Sequence, residues 1–473
     1  MWSEAILQQP EGKQLEFKRD LSSPHGAMKT LVAFANTAGG KLIIGIANNG
    51  KILGVENPLD EEERLCNLIS DSISPRLVPS IELTTINNKT LLIVEVYLSN
   101  TRPHWLTTLG QQQGVMVRVG SSTRQAGREL IADLQRQVAG EAYDATPMPE
   151  LSLESLDLNA MQQQFGATVQ INEETLQTLN LLVKHQGRLV PSKGAILLFG
   201  KQRTRYFNDA WIQCGRFRGA DKVDILDQTE IHEHLPQTVN SIELFLKKHA
   251  FKTAEFTGMR RTDHWSIPLT MLREVIINAL VHADYSQRGI PMRVAFYDDR
   301  IEIESAGLLL PGLTVDDIKS GISMIRNPVI ARVFRELGFI EQWGSGIKRI
   351  FSEAQKLGLP EPTIEEIAMR VRFTIPLVIS TALQKASSPG VESGVESEMA
   401  QQIIELLVAG PLSKTDIAQA LGKEKPSRHL NELMKKMLQL GEVTYTIPEK
   451  PNSRLQKYRL TNKVLSQQYN KKL

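Results

Sequence analysis

Three residues spaced at four could do chemistry together. Glu274, Asn278 and His282 lie within Leu269–Tyr285, LTMLREVIINALVHADY, a stretch whose periodicity predicts one helix. A four-residue interval puts a carboxylate, a carboxamide and an imidazole on one helix face. Leu272, Val275, Ile276, Ala279 and Ala283 occupy most of the remaining surface. The helix is therefore expected to be largely buried, and buried polar groups must find partners. Two readings are open. The row is a hydrogen-bonded tie to a neighbouring element, or it is a nucleotide site. In the second, Asn278 offers an oxygen to Mg²⁺ and Glu274 orients a water.

This stretch resembles the N-box of the ATPase superfamily that contains gyrase, the heat-shock chaperones, histidine kinases and MutL (GHKL). In that superfamily a helix carries Glu-x-x-x-Asn, the Asn binds Mg²⁺ and the Glu acts as general base. Glu274 and Asn278 match those positions, and His282 joins them as a candidate cofactor-binding residue. Downstream, Arg300–Gly307, RIEIESAG, stands where the first glycine box is expected, with Gly307 at its end. Trp343–Lys348, WGSGIK, stands where the phosphate-binding glycine lid is expected. Gly344 and Gly346 would allow close backbone approach, and the helix after them would present its N-terminus to phosphate. The adenine-reading Asp of the superfamily has no counterpart; Glu304 and Ser305 are the nearest positions. The resemblance implies ATP with Mg²⁺ as cofactor.

A second set of carboxylates lies near the N-terminus. The blocks Glu11–Lys18, Phe34–Ile46 with Asn36-Thr-Ala-Gly-Gly40, Gly54-Val, and Val117–Gly120 are similar to the Schlafen core, or AlbA-like, domain. That family binds nucleic acid, and its nucleolytic members cut RNA with two Glu and one Asp around a divalent metal. Glu11 and Glu16 match the two Glu, so the resemblance implies Mn²⁺ or Mg²⁺ there. Asn48 stands where the Asp belongs. Asn supplies a neutral oxygen where a charge would help offset dehydration of the ion. Lys18, Arg19, Arg102, Arg118, Arg124 and Arg128 are candidate phosphate contacts, Arg118 first among them because it precedes the Gly120-Ser-Ser turn.

The ends and joints of the chain complete the picture. Its 473 residues suffice for about three domains, and a 41% hydrophobic content supports packed cores. Lys and Arg total 55 against 53 Asp and Glu, a balance that names no partner. The basic residues concentrate in the tail, where residues 401–473 hold thirteen Lys/Arg and six Asp/Glu. That local excess is an electrostatic footprint of DNA binding. The tail reads as a helix, a helix–turn–helix and a strand pair, and resembles the winged-helix family. Ser427, Arg428, Asn431 and Lys435 fall on its candidate recognition helix.

The expected architecture is multidomain α/β and α+β. A Schlafen/AlbA-like module spans 1–139, a linker 140–170, a GHKL-like α/β sandwich 171–380, a linker 381–397 and a winged helix 398–473. Within the third part, Ser192–Phe199 reads as holding a buried strand, Thr229–Lys248 as a long helix, and Asn327 as a helix cap. This order resembles bacterial proteins labelled transcriptional regulators. The expectation is a DNA-binding, homo-oligomeric regulator modulated by ATP, with RNA as a further partner. The alternatives are a Schlafen-type nuclease acting in antiviral defence and a catalytically inactive scaffold. Two cysteines, the absence of a signal pattern and the lack of a long apolar run point to a cytoplasmic protein without a membrane segment.

Overall fold

The computed structural model describes residues 4–166, 169–257, 260–340, 346–377, 393–408, 410–421, 430, 433–434, 437–438, 443–446 and 456–461. They divide into two compact units, residues 1–378 and 379–473.

The first unit opens with strand β1 (Leu15–Lys18), helix α1 (Pro24–Thr37), β2 (Gly40–Ile44), α2 (Pro58–Ser72), β3 (Ser80–Ile86) and β4 (Lys89–Val96). A hairpin, β5 (Met116–Val119) and β6 (Ser122–Gln125), and helix α3 (Arg128–Val138) complete this module. The sheet order is β1-β2-β4-β3. Alternation along β2 and β4 sends Leu42, Ile44, Leu92 and Val94 to one face, against α1 and α2. Ile43, Leu91 and Ile93 go to the other face, against Leu15 and Ile46.

Residues 140–170 are not a linker. Met148, Leu156, Met161 and Phe165 enter the main hydrophobic core, and helix α4 (Leu158–Phe165) is capped by Asp157. Asp144 is fully buried and accepts bonds from the backbone N–H of Val329 (2.8 Å) and Ile330 (2.9 Å). It therefore satisfies donors of a helix formed almost two hundred residues later. Burial pushes its carboxyl up to about 7.

The chain continues through α5 (Glu173–Thr178), the hairpin β7 (Leu182–His185) and β8 (Arg188–Pro191), and α6 (Lys193–Phe199). The expected strand at Ser192–Phe199 is thus a helix. Its apolar run fits either state, and the Ser192 hydroxyl, accepting from Ala195 N at 3.1 Å, starts the helical one. Then come β9 (Ile212–Arg218), β10 (Asp224–Ile231) and α7 (Leu235–His249). The expected long helix at Thr229–Lys248 is in fact the end of a strand followed by a helix with Pro236 in its first turn.

A hairpin of β11 (Lys252–Thr257) and β12 (Arg260–Trp265) precedes α8 (Leu269–His282), β13 (Met292–Phe296) and β14 (Arg300–Ala306). After it lie α9 (Val315–Ser320), α10 (Pro328–Glu336), α11 (Gly346–Lys356), β15 (Thr363–Ile367) and β16 (Arg370–Pro376). Six strands form one mixed sheet in the order β10-β9-β13-β14-β16-β15, with only β9 and β13 parallel. The inner face of this sheet and helices α6, α7, α8, α10 and α11 share one core.

The second unit has α12 (Ser393–Val408), α13 (Lys414–Ala420) and an antiparallel pair, β17 (Val443–Tyr445) with β18 (Tyr458–Leu460). Ile403, Leu407, Ile417, Leu430, Met434, Val443 and Tyr458 form its core. α12 begins inside the stretch expected to be a linker. Ser427, Arg428, Asn431 and Lys435 lie outside the described residues, as do Trp343, Gly344 and Ser345.

Candidate nucleotide cleft and the amino-terminal carboxylates

Helix α8 has no Gly or Pro inside it, and Met271, Leu272, Val275, Ile276, Ile277, Leu280 and Val281 are buried. Asn327 does not cap its own helix. Its amide donates to Val281 O at 2.8 Å and Ala283 O at 2.7 Å, so it closes the C-terminal end of α8 instead.

The three-residue row remains on one face, where it borders two cavities. One, of about 110 Å³, is lined by Asn278, His282, Ile303, Ser305, Leu308, Val371, Phe373 and their neighbours. The other, of about 220 Å³, is lined by Glu274, Asn278, His282, Arg335, Gly346 and Arg349 among others. Asn278, His282, Ile318, Ile322, Ser323 and Ile347 border both. The two cavities are therefore adjoining lobes of one cleft, one mainly apolar and one carrying charge.

Strand parity decides what faces the apolar lobe. Ile301 and Ile303 of β14 point into the core, so Ser305 points to the same side and Glu304 to the other. Glu304 instead pairs with Arg372 at 2.7 Å on the outer face, with Lys222 at 3.6 Å and Arg370 at 3.8 Å. Ser305 is the residue that stands where a base-reading carboxylate was sought. Gly307 borders neither lobe; its positive φ of 98° and its packing against Asp284 explain the glycine.

In the charged lobe Asn278 Nδ2 donates to Glu274 Oε1 at 3.1 Å and to Glu274 O at 2.8 Å. Its carbonyl oxygen is thus the end it can offer to a cation. Arg349, in the first turn of α11, donates to Glu274 Oε2 at 3.1 Å. Gly346 opens α11 directly against the Glu274 carboxylate. Glu274 so lies where the positive end of the α11 dipole favours an anion. His282 is partly buried. Burial, then the positive charge of Arg326, lowers its imidazole to about 4, so it is neutral at pH 7. Arg326, Arg335 and Arg349 were not foreseen from sequence. Arg349 had a signal, a cation three residues past Gly346 on a helix start.

At the N-terminus, Glu16 and Glu11 are both engaged. Glu16 Oε2 accepts from Arg118 at 2.9 Å and its Oε1 from Lys18 at 2.5 Å. Glu11 Oε1 accepts from the backbone of Phe17 at 2.9 Å. Asn48 lies in an exposed turn. Among the described residues no group of three His, Cys, Asp or Glu could hold a metal ion. Arg118 is 1% exposed, and it also donates to Gly12 O at 2.5 Å and Thr123 Oγ1 at 3.1 Å. It is an internal clamp rather than an exposed phosphate contact, because Glu16, Gly12 O, Thr123 and the Phe34 ring surround its guanidinium. Arg124 is exposed and Lys18 half-exposed. The Asn36-Thr37 pair is structural too. Asn36 bonds to His104 N, His104 O and Met116 O, and Thr37 Oγ1 accepts from Arg118 N.

Comparison with known families adds three matches. Residues 11–127 match "Schlafen, AlbA_2", and residues 289–375 match "Putative ATP-dependent DNA helicase recG C-terminal". The chain carries a Schlafen/AlbA_2 domain and a RecG-type ATPase-like domain. The second match begins after α8, so Glu274 and Asn278 lie outside it. Residues 398–461 match "Filamentation induced by cAMP protein Fic-like, C-terminal domain", in place of the winged-helix family expected there. No curated protein is significantly similar to the chain. The crystal structure of the DIP2311 protein from Corynebacterium diphtheriae is 20% identical, covers 99% of this chain and 97% of its own, and has a TM-score of 0.44. The solution structure of the N-terminal domain of a RecG-related protein from Nitrosomonas europaea is 26% identical over 26% of this chain and 91% of its own, with a TM-score of 0.22. No helix among the described residues is long and apolar enough to cross a membrane.

Proposed function

We propose that this chain is a nucleic-acid-binding regulator whose state responds to ATP. The observation that carries the reading is the cleft along α8, where an apolar lobe suited to a base meets a lobe in which Arg335 and Arg349 would draw phosphates, with a cation offsetting the Glu274 carboxylate. Asn278 joins the lobes and would hold Mg²⁺ through its carbonyl oxygen; the bound ion would neutralise phosphate charge. Arg349 and Arg335 supply cations to the same lobe. Glu274 is the general-base candidate, and in this arrangement Arg349 and Asn278 hold its carboxylate in place. The Schlafen/AlbA_2 match and the basic tail support nucleic acid as the partner, with Lys18 and Arg124 as contacts in the first unit and Arg428 and Lys435 in the second.

A thermal-shift titration with Mg²⁺–ATP tests the nucleotide reading. The wild type should be stabilised, by about 2.7 kcal/mol at a hundredfold excess over Kd. Asn278→Ala should lose most of that gain, and Glu274→Gln should keep binding while losing any hydrolysis. A wild type unmoved by millimolar nucleotide would leave the row as architecture. DNA and RNA binding, measured with and without ATP, tests the regulator reading; identical affinities in both conditions would end it.

A further inference from the structure

Asp133 on α3 and Arg326 before α10 join the amino-terminal module to the cleft. Arg326 donates to Asp133 Oδ2 at 2.7 Å, and both side chains are under a tenth exposed. Asp133 is held by its own helix as well, accepting from Arg136 at 3.1 Å and Gln137 at 2.7 Å. Arg326 lines the apolar lobe, and its second nitrogen donates to Leu308 O at 2.6 Å.

Leu308 begins the wall of that lobe, which continues through Leu309, Leu310 and Leu313. The same wall is fastened to the amino-terminal module at three further points. Leu308 packs with Val117, Leu130, Ile131 and Leu134. Gly312 N donates to Thr37 O at 2.8 Å, at the end of α1. Glu366 accepts from Leu309 N at 2.8 Å and from Lys13 Nζ at 2.9 Å. A ligand in the apolar lobe therefore touches a wall that cannot shift without moving α3, the β5 hairpin or the end of α1. Packed side chains and buried ion pairs of this kind carry coupling between sites.

We propose that the cleft is a composite site, its base-end wall at Leu308–Leu313 fastened to the amino-terminal module, so that occupancy of the cleft is transmitted to that module through Arg326–Asp133 and Leu308. The inference rests on the nucleotide reading of the cleft. Coupling is reciprocal, so a ligand that orders the amino-terminal module tightens nucleotide binding by the same factor.

Two measurements on the full chain test it, with Mg²⁺–ATP as the probe. Calorimetric titration should show Asp133→Asn binding nucleotide about tenfold more weakly than wild type, within the usual range of coupling energies. Asp133 touches neither lobe, so equal affinities would overturn the coupling and leave the nucleotide reading intact. Hydrogen exchange on the wild type needs no variant to fold. Mg²⁺–ATP should slow exchange in Arg128–Val138 and Met116–Val119 as well as along Leu269–His282. Protection confined to residues 269–356 would overturn the proposal. A wild type that binds no nucleotide in calorimetry would remove the nucleotide reading, and this inference with it.

Discussion

Gly346 stands so close to Glu274 that a Cβ at position 346 would overlap the Glu274 carboxylate. The glycine was expected for backbone approach to phosphate, and its immediate neighbour is instead an acidic side chain of the facing helix. Gly346→Ala should therefore push the flexible Glu274 carboxylate off Asn278 and Arg349 and destabilise the first unit by about 1 kcal/mol. The loss should shrink when Glu274→Ala is added, because the clashing group is gone. Melting temperatures of the wild type, both single variants and the double variant form the cycle. Strict additivity would show that Glu274 is not what Gly346 makes room for.

Arg118 and Glu16 make a buried pair that joins β5 to β1. Removing Arg118 leaves Glu16 with Lys18 alone, so Arg118→Ala should cost about 1.5–3 kcal/mol, the range for a hydrogen bond to a charged group. Urea denaturation reads this directly. An unchanged midpoint together with weakened nucleic-acid binding would return Arg118 to the role of phosphate contact.

The same pair bears on metal binding. With Glu16 neutralised by Arg118 and Lys18, Mn²⁺ should leave the melting temperature of the wild type unchanged. Asn48→Asp should not alter that, since the substitution adds a charge in an exposed turn without releasing Glu16. A Mn²⁺-dependent rise that disappears in Glu16→Gln would restore the nuclease reading.

His282 titrates at about 4 in the fold, below the usual value near 6.5, chiefly because of burial. The unfolded chain then binds more protons than the folded one between those two values. The contribution of His282 to stability is full above about 6.5 and declines as pH falls toward 4. Against His282→Gln, which does not titrate, the wild type should lose relative stability across that window and level off below it. Denaturation midpoints measured from about pH 3 to 8 give the comparison. A constant difference would mean the imidazole titrates at its ordinary value.

Much of this protein was legible locally. The α8 row on one face and the burial of the apolar residues around it follow from helical period alone, because side chains on one helix face are set by spacing. The AlbA-type blocks and the basic excess in the tail are likewise readable along the chain. Other features depend on partners far away in sequence. Whether Ser305 or Glu304 faces the cleft depends on which side of β14 is covered by helices. The burial of Arg118 depends on Glu16, about a hundred residues earlier. Residues 140–170 looked like a linker because they open on a Pro-containing, weakly patterned acidic stretch, yet the core that receives them is built mostly from residues after 170. Asp144 finds its donors at Val329 and Ile330, and Asp133 finds Arg326 across two modules. Local pattern specifies helices, faces and candidate chemistry; which charges are free to act was decided only when tertiary packing brought their neutralising partners beside them.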